Sequence, residues 1–370
     1  MKLTQALATL LLAAASTTAV AQTLNIVRNN VIISIPASAQ KMAFSSSGTQ
    51  LSAAGRTFST DEIDQIYIDE STVEDNTVNV AYEGTKATVT VAGNIAQYIT
   101  AEVNGAHVSI TQSADVADEI TYSVSGTSTD GELYLAGSYK CTVELRGLTL
   151  TNATPVYSGA ALHIQNGKRV ALSVKSGTTN TLTDCASPAS AIEQKAALYC
   201  KGHLELKGKG TLTVNGKYAH GIKSAEYMQL KNATINVTAA VKDGISCDEY
   251  FLMESGALTI SGVGDDGIQC DIDGNASTGE TTDHEDEDSG NIYIEGGTLN
   301  ITTTAAGTKC IKADSTLVVN DGTLTLVSKG GVDTSDSTDP AYGAALSGGK
   351  IVINGGTINA TVSGDRKSVV

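Results

Sequence analysis

Aspartates recur in column along the middle of this 370-residue chain, and stacked carboxylates need a partner. Asp243 and Asp266 open the phrases Asp243-Gly244-Ile245 and Asp266-Gly267-Ile268, with Asp265 beside the second. His220-Gly221-Ile222 heads the series and Lys309-Cys310-Ile311 is a weaker echo. A second column, Asp248, Asp271 and Asp314, follows the same short apolar segments. Carboxylates on neighbouring strands would lie about 4.8 Å apart. They would repel by roughly 3–4 kcal/mol at an effective dielectric near 20, which rivals a sizeable part of a domain's net stability. Ca²⁺ is the expected remedy, because it takes several carboxylate and carbonyl oxygens at once. The expected ligands are Asp243, Asp248, Asp265, Asp266, Asp271 and Asp314. The competing expectation is solvation and pairing with Lys242, Lys309 and Lys312. No EF-hand spacing is present, so the signal is a column and not a motif. His220 reads as a turn or capping residue, since imidazole suits softer metals.

The columns dictate the elements. The phrase returns about every 23 residues, a period of stacked-repeat architectures. Aligning on Leu162, Leu198, Ile222, Ile245, Ile268, Ile311 and Leu346 brings further apolar columns into line. One is Met228, Phe251, Ile292, Leu317 and Ile351, and another is Leu212, Ile235, Leu258, Leu299, Leu324 and Ile358. Period-two alternation and Gly-rich turns such as Glu295-Gly296-Gly297 predict three short strands per unit. The expected fold is all-β, a right-handed parallel β-helix with a small N-terminal capping segment. The expected boundaries are a signal peptide at 1–21, the N-terminal segment at 22–75 and the β-helix at 76–364. Within the N-terminal segment, Thr60 to Ile66 could start a short helix with Ser59 or Thr60 as N-cap.

Lys2, the apolar stretch Leu7 to Ala15 and Ala19-Val20-Ala21 form a secretion signal cleaved near Ala21. The expected location is therefore outside the cell or on its surface, and no later apolar run is long enough to span a membrane. Residues 365–370 fit no column and are expected to be a non-native tail; one back-translation of them resembles a sequencing-library adapter. Net charge is −16, which makes nucleic acid an unfavourable partner. Cys200, Cys247 and Cys270 share the inward face with the register hydrophobes, so they read as small buried hydrophobes. A Cys247–Cys270 disulfide remains geometrically open. Insertions at 185–195, 273–289 and 332–343 break the period. Tyr227 and Tyr250, one position before an inward column, are expected to face outward as a sugar-stacking platform, with Lys223 and Lys242 as further carbohydrate contacts.

The stretches Ser123–Gly131, Ser173–Asp184, Gly202–Leu212 and the Asp-Gly-Ile-x-Cys-Asp runs at 243–248 and 266–271 carry a resemblance. They resemble bacterial secreted carbohydrate-binding domain-containing proteins with a polysaccharide-lyase-like right-handed parallel β-helix. The resemblance implies non-catalytic polysaccharide binding and calcium held by aspartates. His220, Ala225 and Lys309 depart from the acidic pattern, so the calcium column is expected to cover part of the stack.

The leading expectation is a secreted, calcium-containing protein that binds a polysaccharide, acidic (such as polygalacturonate) or cellulosic. A calcium-dependent lyase is the alternative. It would need a base beside a uronate, and Arg28, Arg56, Arg146, Arg169 and Arg366 all lie outside the Asp-bearing repeats. Lys223, Lys242 or Lys312 would have to serve. A structural, adhesin-like surface protein is the third reading.

Overall fold

The computed structural model describes residues 22–36, 42–72, 74–188, 195–272, 274 and 288–363. The signal peptide expected at 1–21, the tail expected at 365–370 and most of the acidic insertion after Asp271 lie outside them.

The apolar columns pair as their alignment predicts. Leu198, Ile222, Ile245, Ile268, Ile311 and Leu346 lie in register on successive parallel strands. Met228, Phe251, Ile292, Leu317 and Ile351 form a second series, and Leu212 through Ile358 a third. Nearly all of these side chains are fully buried in one continuous core. Each Leu or Ile removed from water contributes about 1.5–3 kcal/mol, and a neighbour of like shape in the next strand lets every column pack without gaps. Ile351 and Ile353, on the last strands, are exposed.

The expected right-handed parallel β-helix is corrected by how the strands assemble. They form a mixed 21-stranded sheet, a 10-stranded sheet and two small sheets. The eleven-residue strand Cys141–Thr151 pairs with both Val170–Val174 and Thr179–Thr183. It thereby joins into one sheet the two series that the repeat had kept apart. Residues 77–112 are not parallel repeats: Thr77–Glu83 pairs antiparallel with Lys86–Ala92, and Ile99–Asn104 with His107–Gln112. Turns with glycine at positive φ, Gly84 and Gly105, close both hairpins. Nor is the N-terminal segment a small cap, because Thr23–Arg28, Val31–Pro36 and Gln65–Asp69 belong to the 21-stranded sheet. The helix expected from Thr60 does not form. Ile66 and Ile68 instead pair with Ile26 and Leu24, and β-branched burial outweighs a weak cap signal. The all-β class stands.

The glycines of the repeated phrase have a packing cause. A Cβ on Gly244 would lie 2.5 Å from Ile260 Cγ2 and 2.8 Å from the Gly267 carbonyl oxygen. One on Gly267 would lie 2.4 Å from the Cys310 carbonyl oxygen. Each glycine lets the next strand's backbone come close, and at Gly244 this brings Asp266 toward Asp243. Gly267→Ala should therefore destabilise the fold by about 2 kcal/mol, in the range of overpacked cores. An unchanged urea midpoint would contradict this close-approach role.

Candidate functional site

The two Asp-Gly turns deliver three carboxylates to one spot. Oxygens of Asp243, Asp265 and Asp266 lie within 4.8 Å of one another. Asp243 and Asp266 are buried, whereas Asp265 is exposed. The parallel register uses up one oxygen of each buried pair member. The Asp266 N–H donates to Asp243 Oδ1 at 2.9 Å, and the Lys309 N–H donates to Asp266 Oδ1 at 2.7 Å. The remaining oxygens face soft or distant partners: His220 Nδ1 lies 3.1 Å from Asp243 Oδ2, and Lys312 Nζ lies 3.6 Å from Asp266 Oδ2. Burial pushes the Asp266 carboxyl up to about 6, with the neighbouring Asp265 charge adding to it. Burial and then the Asp243 charge raise Asp265 as well.

Glu132 shows how a buried carboxylate is satisfied by protein. Its side chain is fully buried, yet Oε1 accepts from the Val156 and Tyr157 N–H groups and Oε2 from Ser158 N–H. Asn152 Nδ2 donates to Oε2, and His107 Nδ1 lies 2.9 Å from Oε1. Burial alone would raise this carboxyl, but His107 and the three backbone donors outweigh it and hold it below the usual range. Asp266 has the burial with a single backbone donor. Sequence reading missed Glu132 because its partners come from the non-periodic turn at 153–158.

The second aspartate column separates from the first. Asp243 and Asp266 precede the strands Ile245–Asp248 and Ile268–Asp271, while Asp248 and Asp271 end them. Lys223 Nζ lies 3.4 Å from Asp248, Gln269 Nε2 donates to both oxygens of Asp271 at 2.8 Å, and Asp314 accepts from the Ile272 N–H at 3.2 Å. Of the expected ligands, the structure brings together Asp243, Asp265 and Asp266. Among the described residues, Asp248, Asp271 and Asp314 join no cluster of three metal-capable side chains. Lys223 is engaged with Asp248 and Ser246, and Lys242 is exposed.

The tyrosine platform is corrected. Tyr227 and Tyr250 are 0% exposed. They stack on each other at 4.8 Å between ring centroids, with His203 over Tyr227 at 4.1 Å. Alternation does turn them away from the core, but Leu252 and Tyr293 pack against them on that side. Part-exposed rings occur elsewhere. Tyr134 and His163 are half-buried and lie in register with buried Tyr199 on the 10-stranded sheet, with centroids 4.9 and 4.7 Å apart. The same column continues through Lys223, Ser246, Gln269 and Lys312. Lys312 links it to the aspartate cluster, touching Gln269 Oε1 at 3.2 Å and Asp266 at 3.6 Å.

Residues 104–367 match the family described as carbohydrate-binding domain-containing protein. The chain belongs to that family. A relative of the same description from Acetivibrio thermocellus is 26% identical over 124 residues, covering 32% of this chain and 42% of the relative. The match thus spans less than half of that relative's length. A solved structure, titled as the polysaccharide lyase-like protein from C. thermocellum in a gadolinium derivative, is also similar. It has a TM-score of 0.53 at 20% identity, over 77% of this chain and 97% of that one. This second likeness is one of fold. The family matched agrees with the carbohydrate-binding part of the resemblance carried by the repeated phrases.

Two predictions separate the buried carboxylates. Asp266 titrates higher in the folded chain than in the unfolded one, so the folded state holds the extra proton between about pH 4 and 6. In chelator, stability should fall as pH rises through that window, by up to about 3 kcal/mol. Asp266→Asn should flatten this fall in thermal melts, and a slope equal to that of the unsubstituted chain would count against it. Glu132 has the opposite sign, its stabilisation being present above the unfolded carboxyl range and lost as pH drops below it. Glu132→Gln should cost about 3 kcal/mol in urea denaturation, because a buried acceptor for several donors is replaced by one that also presents N–H groups. A loss under about 0.5 kcal/mol, the range of neutral surface changes, would refute that accounting.

Proposed function

We propose that this family member is exported and binds acidic polysaccharide without turning it over, with Ca²⁺ held by Asp243, Asp265 and Asp266. The observation carrying this reading is the pair of buried carboxylates, Asp243 and Asp266, with one exposed carboxylate beside them and one backbone donor each. The donor set is all oxygen and hard. Ca²⁺–oxygen distances of 2.3–2.6 Å put ligands on opposite sides of the ion about 4.8 Å apart, so one ion fits among these three side chains. Exposed Asp265 marks the side open to solvent, where a calcium ion keeps positions for a sugar carboxylate. That bridge would resolve the repulsion between a uronate polymer and a chain of net charge −16.

The polysaccharide would lie across the 10-stranded sheet. Tyr134 and His163 offer ring faces at one end of its outward column, and Lys312 and the aspartate cluster lie toward the other. Exposed Lys242 lies next to Asp243 and is available to a sugar carboxylate. Binding without turnover is favoured over lyase chemistry. Lys223 and Lys312 are each engaged by a carboxylate within 4.0 Å, so neither amine is left directed at a sugar proton. Export rests on the signal sequence at residues 1–21.

Affinity electrophoresis on polygalacturonate, with Ca²⁺ and with EDTA, tests the proposal. Retardation should require Ca²⁺ and weaken at least about tenfold in the Asp265→Asn/Asp266→Asn variant, the loss of one charge-assisted contact. Retardation unchanged by EDTA would sink the calcium bridge. Release of unsaturated uronide, read by ultraviolet absorbance and abolished in a Lys312 variant, would replace binding by lyase activity.

A further inference from the structure

A second cluster sits at the other end of the same strand. Glu249 directly follows Ile245–Asp248, whereas Asp243 precedes it. Glu226 and Glu249 extend the register of Met228 with Phe251, while His203 extends that of Leu204 with Met228 and so falls beside Tyr227, one position along from Glu226. The ligand atoms of His203, Glu226 and Glu249 lie within 4.8 Å of one another. His203 is 0% exposed, and its Nε2 lies 3.5 Å from Glu249 Oε2 and 3.7 Å from Glu226 Oε2. Charge-assisted N–H···O bonds are shorter, near 2.7–2.9 Å. Two ligands of one tetrahedral ion with metal–ligand distances near 2.05 Å are about 3.4 Å apart, which is the spacing observed.

We propose that His203, Glu226 and Glu249 form a cation site separate from the aspartate cluster, suited to a Zn²⁺-class divalent ion. The donor set is one imidazole and two carboxylates, so it differs in kind from the all-oxygen cluster and suits a softer ion. Two carboxylates supply the charge that a divalent ion offsets. The aromatic stack preorganises the site: Tyr227 lies under the His203 ring at 4.1 Å and 19°, and Tyr250 lies under Tyr227. Such a stack fixes the plane in which Nε2 points. Glu249 is fixed twice, by a left-handed backbone at φ 64° and by the Tyr227 N–H donating to Oε2 at 3.1 Å. Glu226 retains 20% of its side-chain exposure, which gives the ion an entry path and a solvent-side position for a water ligand. With that water the set becomes three protein ligands plus one open position.

Co²⁺ added to chelator-stripped protein reads the site directly. The expected result is one equivalent bound with the intense visible bands of a four- or five-coordinate ion, displaced by Zn²⁺, and a higher melting temperature with Zn²⁺. Asp266→Asn should keep these signals, so failure of the calcium reading and failure of this one are distinguishable. His203→Asn and Glu226→Gln should each lose the bands. Part-exposed Glu226 keeps the test decisive if the His203 variant does not fold. Weak octahedral-type bands in folded protein, or bands unchanged in Glu226→Gln, would overturn the site in favour of a histidine held between two carboxylates.

Discussion

In-register parallel pairing is the constraint on which this structure depends. It places each side chain about 4.8 Å from its counterpart on the next strand. For Ile245, Ile268 and Ile311 this is an advantage, because like shapes pack into a continuous core. For carboxylates it is a cost of several kcal/mol, and the chain meets that cost differently at each place. Asp248 takes Lys223, Asp271 takes Gln269 and Asp314 takes a backbone N–H. Glu132, outside the repeat, takes a full set of donors from a turn. Asp266 and Asp243 receive one backbone donor each and remain buried. The contrast with Glu132 is what singles them out. Equal burial gives a depressed carboxyl where donors converge and a raised one where they do not.

Much of the register and part of the site were legible in the sequence for one reason: both are periodic. The apolar columns, Asp243 above Asp266, and His220 at the head of that column all follow from the repeat. What was not legible is what the period does not encode. Alternation correctly turned Tyr227 and Tyr250 away from the core, yet it could not show Leu252 and Tyr293 packing against them there. The antiparallel hairpins at 77–112 alternate just as parallel strands do, so hydrophobic pattern cannot tell them apart. Nor could short columns reveal that Cys141–Thr151 is long enough to fuse two series into one sheet. His203, Glu226 and Glu249 were not legible because His203 lies in the column of Tyr227, one position off the column of Glu226 and Glu249, so no single column holds all three.

The two clusters flank one four-residue strand, and their chemistry differs because their surroundings do. At the entry of Ile245–Asp248, Gly244 and Gly267 bring successive backbones together and set short, buried aspartates beside exposed Asp265. Short side chains there present only oxygen. At the exit, Glu249 adopts a left-handed turn that points a longer side chain under the aromatic stack, where His203 is the ring that meets it. The entry is open through Asp265; the exit is closed except at Glu226.

That difference assigns unequal roles. On the proposed reading, an ion at the open entry would keep coordination positions toward Lys312 and Gln269 and could contribute directly to recognition of an acidic polymer. An ion at the more closed exit would put its binding energy into the fold, holding adjacent strands in register where two glutamates would otherwise push them apart. The second would then keep the strand that carries the first in place, and the like-charge cost of the repeat would be offset at both ends of one strand by ions of different kind. In this arrangement the acidic columns are not a defect that the apolar core must outweigh. They are how a chain built from identical layers makes two particular layers distinct from the others.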